Sequence, residues 1–157
     1  LLARRLVQAG VTFVEVRSNG WDTHQQSAER VAKNAGTVDP AFGSLVADLK
    51  AKGMLEKTLV LWMGEFGRTP KINPNAGRDH FPRVFNVALA GGGVKGGQVI
   101  GASDKIGATP HEYPIDPPRV LATLYQGMGV DLDTVTMPGP GSRPIRLIDA
   151  EPIPELV

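Results

Sequence analysis

The run Leu59-Val60-Leu61-Trp62-Met63 stops at Gly64-Glu65-Phe66-Gly67-Arg68-Thr69-Pro70. An unbroken apolar run of this kind reads as a strand buried on both faces, as in a parallel sheet. Ligand sites in open α/β sheets lie beyond the carboxyl ends of such strands, and Glu65 stands there on a turn flanked by two glycines. Upstream, Val11-Thr12-Phe13-Val14-Glu15-Val16 is a second β-rich run. Between the two runs, Asp39 reads as an N-cap and Pro40 as a first helical residue. Phe42, Leu45, Val46 and Leu49 then share one face, and Lys50, Lys52 and Gly53 mark the helix end. Strand, helix, strand is a βαβ unit with a right-handed crossover. The fold class expected is α/β with a mainly parallel central sheet.

The remaining elements are shorter. Leu1 to Ala9 has the spacing of an amphipathic helix that Gly10 closes, and Ser27 to Lys33 reads as a short helix. From Gly64 to Arg83 no periodicity survives, which predicts a long loop at the sheet's carboxyl edge, of the kind that carries function. Phe85 to Ala90 and Gln98 to Ala102 read as strands. Pro117-Pro118 opens a last helix with Val120, Leu121, Leu124 and Tyr125 on one face. Arg143 to Ile148 reads as a short edge strand, and residues 150–157 as an irregular tail.

At 157 residues with a net charge of +1, the chain is one domain's worth and presents no charge excess suited to nucleic acid or a membrane surface. It has no cysteine, so neither disulfides nor thiolate metal sites are available. No apolar run is long enough to span a bilayer. The first residues, Leu-Leu-Ala-Arg-Arg, read as the end of a helix within a longer protein.

Three loop clusters hold residues able to bind metal: Asp22-Thr23-His24, Glu65 with Arg68, and Arg78-Asp79-His80. Carboxylate plus imidazole suits zinc, manganese or iron, whereas calcium and magnesium favour oxygens alone. Each cluster also has a plainer reading. Asp22 and His24 fit a surface turn with a capping aspartate, Glu65 and Arg68 an ion pair ordering the loop, and Asp79 a staple that orients His80. His111 reads as a rim residue, and Trp62 as packing. Gly91-Gly92-Gly93-Val94-Lys95-Gly96 satisfies G-x-G-x-x-G, but a strand-like segment follows it, so no helix N-terminus is available for a pyrophosphate. A hairpin-like loop is expected there. No Gly-x-Ser-x-Gly elbow occurs.

Gly20-Trp21-Asp22-Thr23-His24, the Met63 to Pro70 stretch, Asn75-Ala76-Gly77-Arg78-Asp79-His80 and Ala90 to Gly97 together resemble a bacterial family known as domain of unknown function 1501. That family is similar to sulfatases and alkaline phosphatases, and the resemblance runs from about Gly10 to the tail. It implies the C-terminal portion of an alkaline-phosphatase-like three-layer fold, with metal ions at the sheet's carboxyl edge. Asp22 and His24 match one Asp/His metal pair of that superfamily, and His80 matches its later histidine. His80 to Phe85 also resembles a passage of cofactor-independent phosphoglycerate mutases.

The chain departs from the superfamily at Glu65-Phe66, where a Ser-Asp-His-Gly would supply a second site. Glu65 can replace an oxygen ligand there, but Phe66 cannot replace the imidazole. The resemblance therefore implies a divalent cation (zinc, manganese or calcium) held by Asp22, His24 and His80, with Glu65 and Asp79 as further candidates. Arg68 or Arg78 would bind the oxyanion of a small-molecule or saccharide sulfate or phosphate ester, and Lys95 could reach in on its glycine loop. The nucleophile is expected before Leu1, and export to the periplasm or beyond is implied by the same resemblance. A non-catalytic binding or scaffold domain with a degenerate metal site is the alternative.

Overall fold

The computed structural model describes residues 1–157. Three α-helices form: α1, Leu2–Gln8; α2, Ser27–Ala51; and α3, Pro117–Gly127. The strands are β1 (Val60–Trp62), β2 (Gly67–Arg68), β3 (His80–Phe81), β4 (Ala88–Ala90), β5 (Ala102–Ser103), β6 (Pro110–Glu112), β7 (Thr136–Pro138) and β8 (Pro144–Arg146). They pair as separate two-stranded sheets, β1 with β4, β2 with β3, β5 with β6 and β7 with β8, all antiparallel.

This overturns the expected α/β three-layer, alkaline-phosphatase-like fold with a parallel central sheet. Val11 to Val16 forms no strand at all, and Phe13 and Val16 stand 79% and 76% exposed. The βαβ unit therefore has no first strand for β1 to pair with, and β1 takes β4 as its neighbour, in the antiparallel sense. Nor is the Leu59–Met63 run buried on both faces. Val60 and Leu61 are half-buried, and Trp62 and Met63 are exposed. Only seven residues are buried in the whole chain, too few for a sheet sandwiched between helical layers.

The middle helix is also longer than its sequence suggests. Ser27 to Ala51 is one 25-residue helix with Pro40 inside it, so Asp39 caps nothing. Pro40, Gly36 and Asp39 all face solvent, where water can take up the carbonyl that Pro40 leaves without a donor. The inward face is the one expected, with Phe42, Leu45 and Val46 half-buried and Leu49 fully buried. Phe42 lies over Trp62 with ring centroids 6.5 Å apart, which seats α2 against β1.

Toward the C-terminus, α3 begins as its sequence predicts: Asp116 caps it by accepting from Arg119 N at 3.1 Å. It buries Ala122 and Thr123 and leaves Leu121 exposed. Thr123 Oγ1 accepts from Ile153 N at 2.9 Å, so the irregular tail docks on this helix with Ile153 buried. Of the predicted strand Gln98 to Ala102, only Ala102 enters a ladder. The glycine-rich segment after β4 joins two different sheets and is not a hairpin.

Candidate metal centre

The site forms where the start of α2 meets the turn at residues 73–77. Gln26 and Ser27, the first donors of α2, bond to the backbone oxygens of Asn75 (3.1 Å) and Ala76 (2.8 Å). A neighbouring turn thus satisfies groups that a side-chain cap would otherwise take. Thr23 and Ser27 close the junction underneath, their buried hydroxyls 2.9 Å apart. Arg78 N donates to Thr23 O at 3.0 Å. Gly77 permits the approach, because a Cβ there would lie 1.9 Å from His24 O.

The β2–β3 ladder completes the arrangement. Arg68 pairs directly with His80 across it, and residues so paired project from the same face. Gly67 is required beside them, since a Cβ would meet Val84 O at 2.0 Å. Both Arg68 and His80 reach Asp22. Its Oδ1 accepts from Arg68 Nη1 at 2.8 Å and lies 3.0 Å from His80 Nε2. The His80 hydrogen bond first, and then Arg68, hold the Asp22 carboxyl well below the usual carboxylate range, at about 2.

Asp22, His24 and His80 are brought together. Asp22 Oδ1 is 3.0 Å from His24 Nε2 and 3.0 Å from His80 Nε2, and the two nitrogens are 3.2 Å apart. Asp79 is not part of this triangle. Its Oδ1 accepts from His24 Nδ1 at 2.8 Å, so it orients His24 and not His80, and this bond holds its own carboxyl below the usual range. Glu65 is exposed on its turn and joins neither the triangle nor an ion pair, because Arg68 pairs with Asp22. His111 lies exposed on β6. Phe66 packs against His80 with ring centroids 4.6 Å apart and the planes tilted by 47°, and forms one wall of the site.

The triangle fits a cation on its own geometry. With Nδ1–H donated to Asp79, His24 turns Nε2 toward Asp22 Oδ1 and His80 Nε2. An imidazole lone pair 3.0 Å from a carboxylate oxygen is repulsive unless a second proton or a shared cation lies between them. Donors bound tetrahedrally about 2.0–2.1 Å from zinc stand about 3.3 Å apart, close to the spacing here. Asp79 supplies the carboxylate–histidine support that such sites use.

Beside the triangle lies an open cleft of about 510 Å³, with Phe66, Arg68, Arg78, Phe85, Asn86 and Ile106 among its lining residues. Arg68 faces both the cleft and Asp22, and only its Nη1 bonds within the chain. Arg78 also lines the cleft, and its Nη1 ties it to the turn by donating to Thr69 O at 2.6 Å and Pro70 O at 2.7 Å. Thr69 and Asn73 did not stand out in the sequence. Thr69 Oγ1 accepts from Asp79 N at 3.1 Å, and Asn73 Nδ2 donates to His24 O and Asp79 Oδ1, each at 3.1 Å. Their polarity within an aperiodic segment is the only signal that could have marked them.

A family model described as "Protein of unknown function (DUF1501)" matches residues 1–157. The chain belongs to the DUF1501 family. No curated protein and no solved structure matches it. In this DUF1501 chain no helix is long and apolar enough to cross a membrane. The segments at residues 20–24 and 75–80 meet at the triangle.

Proposed function

We propose that this chain is part of a divalent-metal-dependent hydrolase of sulfate or phosphate esters, with Asp22, His24 and His80 as the metal ligands. The observation that carries the reading is the triangle of donor atoms 3.0–3.2 Å apart, with His24 Nδ1 held by Asp79 so that Nε2 faces the other two. The resemblance of the Asp22/His24 and His80 passages to sulfatases and alkaline phosphatases supports the reaction class and, with it, export of the protein. A cation bound there would polarise an ester oxygen and stabilise the negative charge that develops in the transition state.

The chain's own residues supply positioning. Arg68 stands at the edge of the cleft with donors left over for an oxyanion, the planar geometry that guanidinium offers sulfate or phosphate. Asp79 holds the His24 ring. Arg78 shapes the turn that presents Asp79 and His80. Phe66 shields one side of His80 from water. A non-catalytic binding domain is the second reading, and Phe66, which the sequence resemblance sets against a ligand histidine of sulfatases and alkaline phosphatases, favours it.

Elemental analysis of the full-length protein tests the first reading, together with p-nitrophenyl phosphate and p-nitrophenyl sulfate assays with and without chelator. Near-stoichiometric zinc or manganese and chelator-sensitive turnover are expected, both lost in Asp22→Asn and His80→Ala. Bound metal without turnover on either ester would favour the binding domain. A metal-free protein unchanged by those substitutions would end the hydrolase reading and leave the non-catalytic one.

A further inference from the structure

We infer that Asn73 is a positioning residue that holds Asp79 against His24 Nδ1, and so keeps Nε2 aimed into the triangle. Its consequence for metal rests on the proposed metal site, whereas its geometry does not. The Asn73 amide is saturated. Nδ2 donates to His24 O and to Asp79 Oδ1, both at 3.1 Å, while Oδ1 accepts from Asn75 N at 3.0 Å and Gly77 N at 2.9 Å. An amide offers two donors and one oxygen with two lone pairs, so nothing is left over. Its orientation is also unique. Rotating the amide by half a turn would set NH₂ against two N–H groups and oxygen against two oxygens.

Asn73 therefore holds His24 at both ends. It grips the backbone carbonyl directly and the ring through Asp79, whose Oδ1 it shares with His24 Nδ1. Asp79 is 53% exposed and sits in a loop, where a carboxylate without a second partner is free to turn away from the imidazole. A His24 ring released from Asp79 is free to rotate about its side-chain bonds, which turns Nε2 out of the triangle. Asn73 makes no bond to Asp22 or His80, so it acts through Asp79 and His24.

A plain turn staple would make the same bonds to Asn75 and Gly77, and Asn73→Asp separates the two roles. The aspartate keeps an oxygen for both backbone donors but offers no hydrogen to Asp79. In metal-free protein at pH 8, long-range ¹⁵N–¹H correlation of the imidazoles reads whether His24 Nδ1 keeps its hydrogen-bonded proton, and chelator competition reads zinc affinity. We expect a cooperatively folded protein that has lost the hydrogen-bonded Nδ1–H signal of His24 and binds zinc about tenfold or more weakly. Asn73→Ala, which removes the donor without adding charge, should lose the signal in the same way. A His24 that keeps its hydrogen-bonded Nδ1–H in both variants overturns the inference. If the wild type takes up no zinc but the signal responds, the metal reading fails and the positioning role stands.

Discussion

Gly77 lies directly against the backbone of His24. A Cβ at position 77 would stand 1.9 Å from His24 O and 2.5 Å from Gln25 N. The obstacle is main chain, which cannot swing aside as a side chain does. Gly77→Ala should therefore part the 22–27 segment from the 73–80 turn. Overpacking of this kind costs about 1–3 kcal/mol, and the fixed obstacle places this case at the upper end. The urea midpoint should fall and zinc uptake should be lost with it. A variant that keeps both would mean that the contact does not hold the two segments together.

Three carboxylates near this junction occupy different positions, and their substitutions should separate in zinc titrations. Asp79→Asn removes an outer partner of His24, for which losses of about 10–100-fold are typical. Asp22→Asn removes a member of the triangle and should lose more than that. Glu65→Gln should leave zinc affinity unchanged, since Glu65 is exposed and forms no ion pair. Should Glu65→Gln lose as much as Asp22→Asn, the site would have to include the turn after β1.

The residues of this site could be read from the sequence more readily than the fold that gathers them. Asp22, His24 and His80 stood out because carboxylate and imidazole recurred in loops, a property of residue type that needs no knowledge of pairing. The identity of the partners was not encoded so locally. Whether Asp79 orients His24 or His80 depends on the turn at 73–77, which is built from main-chain bonds. The helices α1 and α3 were legible because capping and period are local signals. Val11–Val16 has the composition of a strand, but a strand exists only with a partner, and no ladder reaches it. That single missing pairing turned an expected parallel sheet into separate antiparallel pairs.

Away from the site, Asp104 staples the loop that carries Ile106 to the cleft. It accepts from Thr109 Oγ1 at 2.7 Å, Ala108 N at 2.8 Å and Ile106 N at 3.2 Å. These bonds, the Thr109 hydroxyl foremost, hold its carboxyl below the usual value. A carboxyl depressed in the folded state contributes stability that is fully present above its unfolded value, about 3.9. That contribution fades as pH falls through the folded value. The stability gap between wild type and Asp104→Asn should therefore be constant from pH 5 to 7 and narrow below pH 4, as measured by urea unfolding at each pH. A gap that widens on acidification would show that the carboxylate is not what the loop uses.

Pro40 tests whether α2 is truly one helix. Its ring cannot donate to the carbonyl of Gly36 and crowds it, a cost of about 3 kcal/mol inside a helix. Against this, proline restricts the unfolded chain, which is worth about 0.4–1 kcal/mol to the folded state. The difference favours Pro40→Ala by roughly 2 kcal/mol, and thermal unfolding should rise by roughly 4–8 °C for a chain of this size. The position is exposed, so the alanine loses no packing that would offset the gain. The opposite result is equally informative. If a new helix began at Asp39, as an N-cap followed by proline suggests, Pro40 would occupy a favourable first position and alanine would lower the unfolding temperature. The sign of the shift therefore decides between one continuous helix and two.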